Sequence, residues 1–194
     1  MAFVPCTVIT AGLNGLSCEP NPGGVSEIYL TNFQDVTLIS ATAADYSPGV
    51  TGASGTNGDS FIFDIQGPAG ATVDFFFPYT FRRNTASFAE DLTKDLATGS
   101  LFYTQTGTIV LDRIERVKRD ELMLLDNSLV MVIAKHSNGT YWLYGQQDGM
   151  FVTTNTSTTG TAKTDANGYI ITLVAEEPLR AKQVDPALIP FIVV

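Results

Sequence analysis

The chain alternates short apolar stretches with long polar ones, and most of the apolar stretches have a period of two. Val25–Leu30 opens the first strand, and Val36–Ile39 reads as its neighbour, with Asn32 and Asp35 flanking the turn. Phe61–Ile65 alternates and stops at Gly67-Pro68. Residues 73–81 predict another strand, with Val73, Phe75, Phe77, Tyr79 and Phe81 on one face. Pro78 cannot donate to a ladder, so it belongs at an edge or a bulge. Residues 86–96 fit either an extended arm or a short helix. Leu101–Leu111 reads as one long strand, with Gly107 as a kink or bulge.

One segment has helical spacing. Asp112 with Glu115 resembles a capping box, and Asn127 suits the left-handed position beyond the end, giving a helix over about 112–126. Ile114, Val117, Leu122, Leu124 and Leu125 fall on one side, and Asp112–Arg116 and Glu115–Arg119 are favourable pairs four apart. Lys118 and Glu121 point into this apolar stripe and Met123 points away from it. Those three residues are candidates for a subunit interface. Leu129–Ala134 is continuously apolar, as a buried central strand requires, and Asn138-Gly139 marks a hairpin back into Tyr141–Tyr144. Met150–Thr153 is a short strand, residues 153–167 form a polar tract, and Tyr169–Val174 is the last core strand.

The pattern therefore predicts a mainly β domain: an antiparallel barrel or sandwich with one flanking helix and long polar loops. A single domain is expected over residues 1–194, with an arm at 1–24, a long loop at 41–60 and a second arm at 179–194. The loop has no core residues of its own, so it is either a mobile surface loop or one that orders on a partner. The tail carries Phe191 and Ile192, which are candidate interface residues. An apolar terminus docks either on its own body or on a neighbour, and docking on a neighbour would make truncation of 179–194 impair polymerisation more than folding.

Composition narrows the classes. With 44% apolar and 16% charged residues the chain is too apolar for intrinsic disorder. A net charge of −9 argues against a nucleic-acid clamp, and no apolar run approaches a membrane span. Residues 1–6 lack the layout of a signal peptide, so the expectation is a cytoplasmically made protein with Cys6 and Cys18 reduced; one local disulfide is the alternative. Asn138-Gly-Thr and Asn155-Thr-Ser match the glycosylation pattern only by chance on that view.

Catalytic chemistry is sparse. His136 is the one histidine and sits beside a hairpin tip, where a solvated polar role is expected. There is no nucleophile elbow, phosphate loop or His-Glu-x-x-His motif, and residues 56–59 do not continue into a calcium loop. Asp91 and Asp95 are four apart, as are Glu90 and Lys94, which is the spacing of a solvated face. The expectation is a non-enzyme that uses no metal or cofactor.

The segment 129–177, with Asn-Gly-x-Tyr-Trp-Leu-Tyr-Gly at 138–145, Asp-Gly-Met at 148–150, Thr-Gly-Thr-Ala at 159–162, Asp-Ala-Asn-Gly-Tyr at 165–169 and Glu-Glu-Pro at 176–178, resembles the tail tube proteins of tailed bacteriophages. Upstream, Tyr79-Thr-Phe81, Ala86-Ser-Phe88, Gly99–Tyr103 and the charged helix agree, so the resemblance spans about 73–178. It implies a subunit of stacked rings, commonly of six, forming a hollow tail tube through which DNA passes unbound. It also implies a place in the virion tail, assembled in the host bacterial cytoplasm beside other tail proteins and away from membranes. Six copies at −9 each would give a ring of −54, and an acidic bore repels DNA where a basic one would grip it. Asp74, Glu90, Asp91 and Asp95 are the candidate lumen-facing acids. Two other readings compete: another virion β-protein (a tail terminator, baseplate or decoration protein), and a β-sandwich glycan-binding module built on Tyr141, Trp142, Tyr144 and Phe151.

Overall fold

A computed structural model describes residues 21–35, 37–39, 62–64, 76–95, 99–184, 186, 189 and 193. The loop 41–60, Cys6 and Cys18 lie outside them. The fold is mainly β, as the pattern predicts. Two antiparallel sheets pack face to face without closing into a barrel, which is the sandwich form of the expectation.

The first sheet has five strands. They are β1 (Val25–Asn32), β4 (Phe77–Tyr79), β7 (Val130–His136), β8 (Tyr141–Tyr144) and β11 (Lys182–Val184), in the spatial order β11-β8-β7-β1-β4. The second has four: β5 (Ala86–Lys94), β6 (Leu101–Asp112), β9 (Phe151–Thr158) and β10 (Gly168–Glu177), in the order β5-β6-β10-β9. A separate two-stranded ribbon joins β2 (Thr37–Ile39) to β3 (Ile62–Asp64). The one α-helix among the described residues is α1 (Arg116–Leu125).

The core between the sheets interleaves Ile28, Leu30, Val130 and Val132 from the first with Ile109, Leu111, Ile171 and Leu173 from the second. A second apolar cluster lies on the far side of the five-stranded sheet. There Tyr29, Met131, Ile133, Leu143 and Val184 are covered by Phe76 and Ile189, with Val193 packed against them. Successive residues of β7 thus enter different cores, which is why 130–134 reads as an unbroken apolar run.

Several expectations are corrected. The helix starts at Arg116, not Asp112. Asp112 ends β6 opposite Gly168, and Arg113 then adopts φ 65° to leave the sheet. Glu115 is the cap residue but makes no side-chain cap bond, so there is no capping box. Asn127 stays out of the left-handed region and closes the helix by donating from Nδ2 to Met123 O. Of the predicted stripe only Leu122 and Leu125 are buried, while Val117 and Leu124 are more than 70% exposed. The predicted pairs give way to Arg82–Asp112, Arg113–Glu115 and Arg116–Asp120.

Residues 86–94 are strand, and the polar tract at 153–167 begins in strand β9, which runs to Thr158. Gly107 makes neither kink nor bulge, since its ladders run without a shift. A Cβ there would lie 2.5 Å from Cε1 of Phe88, so the glycine makes room for a ring. Pro78 sits on edge strand β4, as its missing N–H requires, but the fully buried aromatic beside it is Phe76, not Phe77.

Candidate assembly surfaces

Both edges of the four-stranded sheet are long. Strand β5 has nine residues and β9 has eight, and neither has a partner strand on its outer side among the described residues. Strand β9 reads Phe-Val-Thr-Thr-Asn-Thr-Ser-Thr, without the charge or proline that commonly blunts an edge.

The register fixes what the outer face of this sheet carries. Ala86, Phe88 and Glu90 point inward, so Ser87, Ala89, Asp91 and Thr93 point outward. Opposite them on β6 stand Thr108, Thr106, Thr104 and Phe102. The face continues through Ile170, Thr172, Val174 and Glu176 of β10 to Phe151, Thr154 and Thr156 of β9, so Ile170 and Phe151 add exposed apolar side chains to it. Among the described strand residues, Asp91 and Glu176 contribute carboxylates here, and no lysine or arginine does. At its end Asp112 is paired with Arg82 at 2.9 Å.

The candidate acids therefore separate. Asp91 and Asp95 are exposed, and Asp74 lies outside the described residues. Glu90 points to the other side. Its side chain is 17% exposed, accepts a 2.6 Å hydrogen bond from the Ala181 backbone and lies 3.7 Å from Arg180 Nε. It fastens the start of the tail and is not an open acid on the outer face.

The helix-face candidates divide in the same way. Lys118 donates to Asp112 O at 2.6 Å, and Glu121 accepts a 2.8 Å bond from Tyr79, so both first serve to seat the helix. Burial, and then the bond to Glu121, push the Tyr79 phenol up, and it stays a donor. Met123 is 60% exposed, as its position predicts. Between α1 and β4 runs a groove lined by Phe77, Tyr79, Glu121 and Leu124, with a volume of about 220 Å³. Phe191 and Ile192 lie outside the described residues, but the tail around them docks on its own body. Strand β11 pairs with β8, Ile189 is buried, and Val193 bridges Phe76.

Two polar side chains that the sequence reading missed hold the crossing between the sheets. Gln105 accepts from Gly145 N at 2.9 Å. Glu177, fully buried, accepts from the backbone N–H groups of Gln147 and Asp148 at 3.0 Å. Period-two spacing places both inward, but the partners come from a loop 29 to 40 positions away.

His136 is half-buried, not a free turn residue. It lies 3.2 Å from Tyr144 OH beside the Trp142 ring, and burial holds its pKa below the ordinary value. Tyr141 and Tyr144 are buried as well, so most of the aromatic set belongs to the cores. Among the described residues no His, Cys, Asp and Glu group could hold a metal ion, and no helix is long and apolar enough to cross a membrane.

Comparisons with protein-family models, with curated proteins and with solved structures find no match.

Proposed function

We propose that this chain is a self-assembling structural subunit of the tail-tube kind, forming rings that stack into a hollow conduit. The observation that carries the reading is the four-stranded sheet. Two long strand edges lie at its borders, and its outer face is mostly threonine, interspersed with apolar Phe102, Phe151, Ile170 and Val174, with carboxylates and no lysine or arginine among its described strand residues. An edge with neither charge nor proline is a template for a further strand. Joining the β9 edge of one copy to the β5 edge of the next is a head-to-tail contact, and such contacts close into rings when the rotation allows. The sheet then runs continuously around the ring, and its outer face lines a bore. A wall of threonine and apolar side chains with sparse negative charge gives a polyanion no cationic phosphate contacts to hold it.

Electron microscopy of the purified protein tests this. Hollow tubes or stacked rings are expected. Single closed rings that never stack would favour a terminator-like virion role, and a monomer at high concentration would overturn the proposal. In assembled tubes, lysine at both Thr106 and Thr172 should create salt-sensitive retention of duplex DNA that the parent tubes lack.

A further inference from the structure

Two apolar patches stand near opposite ends of strand β6. The first is the far end of the β5–β6 hairpin. Leu92 pairs with Tyr103 and Lys94 with Leu101, which places all four on the inward-facing side of the sheet. Strand β10 ends opposite Tyr103, and beyond it the inward pattern continues with little to cover it. Leu92 is 50% exposed and Leu101 46%. Lys94 stands beside these leucines with no ion pair among the described residues.

The second patch is the groove between α1 and β4. Phe77 is 53% exposed and Leu124 72%, with the Glu121 carboxylate beside them. Glu121 is bonded to the Tyr79 hydroxyl but has no cationic partner among the described residues. The adjoining hollow reaches Leu111, so the groove lies ten positions along β6 from Leu101, roughly 33 Å away for extended chain.

We propose that the hairpin end of one copy seats in the α1–β4 groove of the next, with Leu92 and Leu101 against Phe77 and Leu124 and with Lys94 meeting Glu121. The occupant is a second copy because the two patches complement each other in charge: each offers apolar side chains around one unmatched charge, of opposite sign. Their positions at opposite ends make the contact head-to-tail along the strand direction, so it propagates copies axially. This rests on the reading of the chain as a self-assembling subunit. It assigns the stacking contact, whereas the edges of the four-stranded sheet supply the lateral one.

Charge exchange tests it, read by sedimentation and electron microscopy at fixed salt. Lys94→Glu alone should raise the concentration at half-assembly by about tenfold or more, since like charges facing across a contact are strongly unfavourable. Glu121→Lys alone should do the same, and the double exchange should recover assembly. Glu121→Lys also disturbs the Tyr79 bond, so Leu92→Asp, at an exposed site, provides a second probe that should weaken stacking in a chain that still folds. If the parent protein never associates, the subunit reading itself fails. If the parent assembles and Lys94→Glu and Leu92→Asp assemble equally well, or the double exchange does no better than either single one, the docking contact alone is overturned.

Discussion

The two sheets satisfy their hydrophobic demands differently. The five-stranded sheet is covered on both faces: one meets the opposing sheet, and the other is closed by Phe76 and Ile189. The four-stranded sheet is covered on one face only, and its outer face is mostly threonine with exposed Ile170 and Phe151 among them. The first sheet is complete within one chain. The second has a solvated outer face and two long edges that carry no partner strand among the described residues. A tail that ends in apolar residues can dock on its own body or on a neighbour, and the structure shows the first: β11 pairs with β8, Ile189 is buried and Val193 bridges Phe76.

The most disruptive way to break this contrast is to remove Leu179–Val194. The cut deletes β11, takes away Val184 and Ile189, and uncovers Met131, Ile133 and Leu143. Two buried aliphatic side chains alone correspond to about 4 kcal/mol at mid-range values. Urea denaturation should show at least that loss, so folding suffers before assembly does. A truncated chain of unchanged stability would mean that the second cluster contributes nothing and that the tail is free for a neighbour.

A smaller effect is expected inside the sandwich, where the sheets meet most closely. Gly107→Ala places a methyl group against the Phe88 ring, which packs tilted by 30° against Tyr144 at 4.7 Å between ring centroids. The ring must shift, at a cost of about 1–3 kcal/mol as for other overpacked sites. Thermal unfolding of Gly107→Ala should show that loss, and adding Phe88→Leu should recover part of it. No recovery would place the strain elsewhere in β6.

These cases show what was legible in the sequence and why. Strand periodicity located β1, β6, β7 and β10, and the unbroken run at 130–134 marked the doubly covered sheet, because burial on each face dictates the residue type directly. The helix boundary misled, because Asp112 and Glu115 have the right spacing for a cap while Asp112 is held in the ladder by Gly168. Spacing records local preference, and the tertiary pairing outweighed it. Only the start of strand β9 was legible, at Met150–Thr153, because the exposed edge of threonine and asparagine beyond it has no apolar face to alternate. The candidate surfaces were half legible. Glu121 and Met123 were singled out as exceptions to a stripe, but the groove partner Phe77 and the hairpin residues Leu92, Lys94 and Leu101 become neighbours only once the register is known. Glu90 sits among acids in sequence, yet strand parity turns it inward.

The finest way to sharpen the comparison is to titrate two carboxylates, one in each kind of environment. Glu177 is buried at the crossing between the sheets, and desolvation raises its pKa above the ordinary value even though backbone N–H groups of residues 147–149 pull the other way. Asp165 is exposed in the β9–β10 turn. Backbone N–H groups of Ala162 and Thr161, with the Thr161 hydroxyl, hold its pKa below the ordinary value. The linked stabilities have opposite signs. For Glu177, folding favours the protonated form, so its contribution is fully present below the unfolded pKa and is lost as pH rises through the folded one. For Asp165, folding favours the carboxylate, so its contribution is present above the unfolded pKa and is lost as pH falls through the folded one. Carboxyl-carbon NMR shifts should therefore show Glu177 protonating first on acidification and Asp165 last, with the 159–165 turn loosening only at that second step. Asp165→Asn should loosen the turn at neutral pH and leave the Glu177 titration in place. If Glu177 instead titrates below an ordinary glutamate, the N–H groups of the crossing loop outweigh burial, and the junction between the sheets is electrostatically as relaxed as the exposed turn.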